Sequence, residues 1–323
     1  MAVCLIAGGA GFLGSHLAEA LLARGDTVRV VDNFSHGSPA NLAGPGPRVE
    51  VIPGDLRSHG LVRRALDGAD VVFHFAVPWA GGVAGPLHGA GAVGTWHLLL
   101  AARDAGCRRV ILASGGEVYG RAEPARVTEE TPPAPVTAVA RDALLAEQEA
   151  VSFARSFGIE LLRLRFFNVF GPRQGRRAPG PNVGRILEAM AAGTRPVLYD
   201  HELEPVDLLY VEDAVRACLL AADSDRGDGR VYHVARGRPA RAQDVVARLN
   251  TLLGTELLPV LAGPCSTVPP VALPDVTRAR VELGFSANSD LGEGLRRYVE
   301  ASRADAAGAV VAVNFGPQLT ANQ

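Results

Sequence analysis

The stretch Ala7–Gly25 reads AGGAGFLGSHLAEALLARG, and no other part of the chain limits its folding as strongly. Gly8, Gly11 and Gly14 fall between the apolar run Val3–Ala7 and the periodic run Ser15–Arg24. An apolar run, then glycines, then a helical period predicts a strand, a tight turn and a helix. Such glycines let the chain turn and let an anion approach the helix N-terminus, where free N–H groups and the helix dipole favour negative charge. Asp32 ends the next apolar run, Thr27–Asp32. A carboxylate at that place accepts hydrogen bonds from a ribose. It would repel a 2′-phosphate, so the pattern favours NAD over NADP.

The alternation continues. Val49–Ile52, Val71–Ala76, Val110–Ser114 and Glu160–Phe166 read as further strands, several of them apolar on both faces. Leu61–Asp67, Thr95–Ala105 and Ala140–Ser156 read as the intervening helices. This order predicts an α/β fold, a Rossmann-type doubly wound parallel sheet. Beyond Gly171–Pro172 a Pro/Gly/Arg loop leads to a helix at Gly184–Ala192. Strands near Pro196–Tyr199 and Val231–Val234 and helices near Ala242–Leu252 and Leu291–Ser302 follow. The expected division is a nucleotide-binding part over 1–171, to which 206–235 returns. A smaller C-terminal α/β substrate part covers 172–205 and 236–305, and 306–323 forms a tail. In that tail Val310–Asn314 reads either as an edge strand or as disordered chain.

Composition narrows the chemistry. The 32 basic side chains are all arginine, because the sequence contains no lysine. Schiff-base chemistry and a lysine-tuned tyrosine are therefore ruled out for this chain. A net charge of −2 gives no general attraction to nucleic acid or anionic membrane. Cys4, Cys107, Cys218 and Cys265 form no CxxC pair, and the eight histidines show no metal-ligand spacing, so no metal is expected. No apolar run reaches membrane-spanning length and the N-terminus lacks a signal-peptide pattern, so a soluble cytoplasmic protein is expected.

The segments GGAGFLGSHL, DNFSHG, GDL, FHFA, SGGEVYG, LRFFNVFGPRQ and YVEDAVRA occur in this order. Together they resemble the extended short-chain dehydrogenase/reductase family, specifically its nucleotide-sugar epimerases, 4,6-dehydratases and UDP-glucuronate decarboxylases. The resemblance implies that Phe12, Leu13, Asp32, Asn33, Phe34 and Gly37 hold the pyrophosphate and adenosine ribose of NAD. It places Asp55 and Leu56 beside adenine, and Phe75, Ala76 and Val77 along the cofactor groove. Phe166 and Asn168 would lie near the nicotinamide end and the substrate phosphate.

The same resemblance exposes a gap. Family members carry a Ser or Thr three residues before the Val of VYG, and a YxxxK on the next helix. Here the hydroxyl position is Gly115, and the tyrosine and lysine positions fall on Val139 and Ala143 or, anchored on Pro135, on Val136 and Ala140; no tyrosine lies between Tyr119 and Tyr199. The loop after His74 is shorter than its family counterpart, Gly91 replaces an asparagine, and Val206 replaces an arginine that would grip a diphosphate. Arg173, Arg176, Arg177 and Arg185 remain as candidates for holding a substrate phosphate or carboxylate. Glu117, the residue before VYG, is the leading candidate acid/base, because a carboxyl beside an apolar cofactor can have a raised pKa. Ser114 is a candidate replacement for the missing hydroxyl, and His88 a candidate pocket imidazole.

Two readings stay open. One is an NAD-binding enzyme of specialised metabolism with a rebuilt active site, acting on a small, phosphorylated or nucleotide-linked substrate. The other is a non-catalytic NAD-binding sensor or partner subunit. Apolar faces on Thr95–Ala105 and Ala140–Ser156 point to a homodimer.

Overall fold

A computed structural model describes residues 1–76, 90–120, 126–174, 182–263 and 272–307. Seven strands form its main sheet: β1 (Val3–Ala7), β2 (Thr27–Asp32), β3 (Val49–Pro53), β4 (Val71–His74), β5 (Arg109–Gly115), β6 (Glu160–Phe166) and β7 (Asp228–Val234). All neighbours pair in parallel, in the spatial order β7-β6-β5-β4-β1-β2-β3. This is the Rossmann-type sheet that the alternating pattern predicts. Its central strands are buried almost residue for residue, as a sheet covered on both sides requires.

The helices are α1 (Phe12–Arg24), α2 (His59–Ala65), α3 (Ala90–Asp104), α4 (Ala138–Phe157), α5 (Val183–Ala191), α6 (Val211–Asp223), α7 (Ala242–Leu253), α8 (Thr277–Glu282) and α9 (Leu291–Ala307). α1 packs on α6, while α2, α3 and α4 lie side by side as another layer. Local chemistry sets the ends of α4. Thr137 Oγ1 accepts the Ala140 amide at 3.1 Å, and Gly158, at φ 72°, closes the C-terminus. α3 begins five residues earlier than the sequence pattern places it. Gly94 lies within the helix and sits so close to Leu56 that an added Cβ would be 3.1 Å from the Leu56 Cβ. Tight packing of a helix against its neighbour selects the glycine there.

A second apolar cluster gathers α5, α7 and α9 around Ile186, Val245 and Leu295, with Phe170 and Tyr210 joining from the region after β6. A short antiparallel pair, Val206–Asp207 with Pro239–Ala240, borders it. Asp207 there accepts the amides of Arg236 at 2.7 Å and Arg238 at 3.0 Å. Among the described residues no helix is long and apolar enough to cross a membrane. No His/Cys/Asp/Glu group among them is arranged to hold a metal ion. Val77, His88, Arg176, Arg177, Cys265 and Val310–Asn314 lie outside the described residues.

Candidate functional site

The strand order reverses at β1, and in open α/β sheets the crevice beyond the carboxyl ends at such a point is where ligands bind. Here Gly8 follows β1 and Phe75–Ala76 follow β4. Gly8 takes φ +82°, and a Cβ on it would stand 2.8 Å from the Ala76 amide nitrogen. A Cβ on Gly14 would meet the Gly8 carbonyl oxygen and lie 2.7 Å from Gly9 Cα, so α1 can approach the turn only without it. Gly11 is the N-cap of α1 with no side-chain cap, and the first turn carries no acid. A Cβ on Gly37 would come within 2.6 Å of the Ala10 carbonyl carbon. The cradle is thus made of backbone, open at an uncapped helix N-terminus and free of negative charge in the helix itself. A pyrophosphate fits such a surface.

Asp32 organises the turn from β2. Its Oδ2 accepts the Ala10 amide at 2.9 Å and its Oδ1 the Phe34 amide at 2.8 Å. Burial raises its pKa, and those two amides work against the rise. Each oxygen keeps acceptor capacity for a ribose hydroxyl. Asn33 donates to Asp55 Oδ2 at 3.1 Å, and Arg57 grips the same carboxylate through Nε at 2.9 Å and Nη2 at 2.8 Å. The Arg57 fork holds Asp55 at a pKa of about 2. Leu56 is buried under α3, where His97 Nδ1 bonds its carbonyl at 3.1 Å. Phe12 and Leu13 pack toward the second apolar cluster. Asn41 was not anticipated from sequence: its Nδ2 donates to the Ala10 carbonyl at 2.8 Å, beside the Ser38 amide at 3.0 Å.

The far end of the crevice is reached along the strand ends. The Phe75 and Phe166 rings lie 6.3 Å apart, and Phe166 pairs across the sheet with Gly115. Over Gly115 sits the Glu117 carboxyl, on the single 3-10 turn Gly116–Tyr119. It bonds its own backbone amide and makes no ion pair among the described residues, so desolvation pushes its pKa up to about 7, with Glu147 adding to the rise. Phe34 and Asn168 carry positive φ, 56° and 38°. Non-glycine residues rarely hold that conformation, and such strain concentrates at binding sites.

Successive residues of a strand face opposite ways. Gly115 faces Glu117, whereas Ser114 faces α4, where its hydroxyl helps keep Glu147 charged but forms no hydrogen bond of ordinary length. The structure therefore does not bring Ser114 and Glu117 together. Glu147, fully buried, accepts Arg165 Nε at 2.8 Å and Nη2 at 2.6 Å, and Arg163 Nη1 at 2.8 Å. Arg165 also reaches the Tyr119 hydroxyl at 2.6 Å, which bonds His233 Nε2 at 2.6 Å. His233 Nδ1 donates to the Asp275 carbonyl, so Nε2 accepts the tyrosine proton. Tyr119 thus holds the layer beneath the site together. On α4, Ala143 packs in the apolar cluster around Tyr119 and Phe167.

Two of the candidate anion-binding arginines have intrachain partners. Arg173 bonds Glu19 at 2.5 Å, and Arg185 Nη2 donates to both Glu202 oxygens at 2.7 and 2.8 Å. Glu202 is 2 % exposed, so Arg185 neutralises a buried charge. An incoming anion would have to compete with both carboxylates.

Residues 4–235 match the NAD dependent epimerase/dehydratase family, so the chain belongs to that family. It is 29% identical to the UDP-glucose 4-epimerase of Mycolicibacterium smegmatis, over 92% of this chain and 97% of that protein. Its structure is similar to that of the Thermus thermophilus UDP-glucose 4-epimerase complexed with NAD, at a TM-score of 0.84 and 29% identity, covering 94% of this chain and 99% of that one. A Streptomyces venezuelae dTDP-glucose 4,6-dehydratase with NAD bound gives 0.85 and 27%, covering 94% and 98%.

Proposed function

We propose that this chain binds NAD along the crevice from the glycine turn to Phe166 and acts on a sugar nucleotide, or on a related phosphorylated intermediate, with Glu117 as its acid/base group. The observation that carries this reading is the Glu117 carboxyl, seated over Gly115 at the end of β5 with its pKa pushed up to about 7, in a chain that has no lysine and no tyrosine between Tyr119 and Tyr199. A general acid/base works best when its pKa lies near the working pH. NAD, when bound, supplies a two-electron acceptor. Asp32 would hold its adenosine ribose, the Gly11–Gly14 turn its pyrophosphate, and Phe75 and Phe166 would exclude water from the groove. The division of labour follows the sequence: 1–171 with 206–235 for the cofactor, 172–205 and 236–305 for the substrate.

A second reading, an NAD-binding sensor or partner subunit without turnover, is favoured by one specific feature. Val206 is buried in the apolar cluster, and Arg173 and Arg185 are tied to Glu19 and Glu202. Protein purified without added ligand, denatured, and analysed by mass spectrometry tests the cofactor assignment. We expect close to one NAD per chain; a protein that is empty and also binds no added NAD in calorimetry would refute both readings.

We also propose a homodimer through α3 and α4. Val93, Trp96, Leu145 and Phe157 are 46%, 41%, 40% and 48% exposed on these helices, large apolar side chains that water solvates poorly. Trp96 packs edge-on against Phe153 at 5.2 Å, which holds the ring in place at the surface. In sedimentation velocity we expect a dimer for the native chain and a monomer for Trp96→Arg. A native chain that sediments as a monomer at all concentrations overturns the assignment.

A further inference from the structure

We propose that Gly115 is a positioning residue for Glu117: by lacking a side chain it leaves the slot in which the Glu117 carboxyl sits, so a side chain at 115 and a seated carboxyl at 117 exclude each other. The inference rests on Glu117 being the acid/base group of the site, and it explains why that group is found where it is.

Backbone conformation does not require glycine at this position. Gly115 has φ −140° and ψ 162°, extended geometry open to any residue. Space does require it. The three atoms nearest to a Cβ built on Gly115 all belong to the Glu117 carboxyl, with Cδ at 2.5 Å and Oε1 at 2.7 Å. These atoms end a flexible side chain, so a residue at 115 would displace the carboxyl and leave the strand standing. The glycine and the acid thus act as one unit, set two residues apart across the exit of β5.

The seat also fixes the electrostatics. The negative charge of the buried Glu147 raises the carboxyl's pKa further, and Arg165, whose positive charge lowers it, is already engaged by Glu147 and Tyr119. A carboxyl in this place holds a proton at neutral pH about as often as not. Position 115 is where the family pattern has a hydroxyl. There Glu117 can take a proton from a bound hydroxyl and give it back, whereas a serine could only pass one along.

The test follows the carboxyl itself. Protein labelled with ¹³C at glutamate Cδ, with the Glu117 signal assigned through Glu117→Gln, is titrated by NMR as native chain and as Gly115→Ser and Gly115→Ala. We expect the Glu117 midpoint to move from near 7 toward the ordinary value of 4.5 in both variants. A midpoint that stays near 7 in Gly115→Ser overturns the proposal. Should either single variant fold poorly, Gly115→Ser is compared in chains carrying Glu117→Ala. A thermal loss that disappears without the carboxyl supports the exclusion, and a loss that persists unchanged refutes it. Because the readout is the carboxyl and not turnover, a protein with no activity but a displaced midpoint would refute the acid/base role of Glu117 while leaving the mutual exclusion of a side chain at 115 and the seated carboxyl standing.

Discussion

Glu117→Gln is expected to lower turnover by about 10²–10⁴-fold while making the protein more stable at alkaline pH. The two effects have one origin. Glu117 titrates near 7 in the fold and at 4.5 when solvated, so folding binds its proton more tightly. Below pH 4.5 the group is protonated in both states and does not disturb the fold. As pH rises through 4.5 toward 7 the unfolded chain releases the proton first, and folding loses stability until both states are ionised. A rise of this size corresponds to about 3 kcal/mol, fully developed above pH 7. Glutamine keeps the shape and cannot ionise. Denaturant unfolding of both proteins from pH 4 to pH 9 should therefore coincide at the acid end and separate in favour of Glu117→Gln above pH 7. Curves that stay parallel would mean the carboxyl is solvated, and native turnover in the variant would remove Glu117 from the chemistry.

Glu147→Ala should act in the opposite direction and harm stability outright. Glu147 is the shared counterion of Arg163 and Arg165, and it is fully buried. Removing one partner of a buried pair leaves an uncompensated charge and typically costs about 3–5 kcal/mol. Arg165 would lose its carboxylate while remaining 3% exposed. For a chain of this length the expected fall in melting temperature is on the order of 10 °C. The pH dependence has the reverse sign to that of Glu117. Both arginines depress the Glu147 pKa despite burial, so its contribution is present above the ordinary carboxylate pKa and fades only as pH falls through the lower value in the fold. A melting temperature within a degree or two of the native one would show that the cluster is hydrated and adaptable.

The two carboxylates show how far a sequence can be read. The glycine turn was legible because its requirements are local: Gly8 needs its φ and Gly14 its missing Cβ wherever the rest of the chain goes. β1, β2 and β6 begin and end where the apolar pattern puts them, because β-branched and leucine residues run through each strand even where Arg29, Arg163 and Arg165 interrupt the run. Asp32 was legible for a related reason, standing at the end of one such strand. The start of α3 was not, because Gly94 answers to Leu56, which is distant in sequence.

The layer beneath the site was hidden by the same kind of separation. Arg163 and Arg165 alternate with Leu162, Leu164 and Phe166, a signal that charge is being buried, yet nothing local names Glu147 or Tyr119 as partners. The partners of Arg173 and Arg185 were hidden for the same reason: Glu19 and Glu202 come from other elements, and nothing local to the arginines names them. Even Gly115 and Glu117, two residues apart, reveal their relation only when the turn folds the acid back over the strand.

The peptide units on either side of Ala10 have a consequence for how a ligand arrives. The Ala10 amide is held by Asp32, and its carbonyl is held by the Ser38 amide and the Asn41 side chain. Anchored at both ends, this piece of backbone cannot flip to meet an incoming phosphate and does not need to. The entropy of arranging the turn is surrendered when the chain folds, not when the dinucleotide docks. Encounter thus leads straight to a seated ligand, and a slow escape rather than a fast capture would keep a cofactor on the protein from one catalytic cycle to the next.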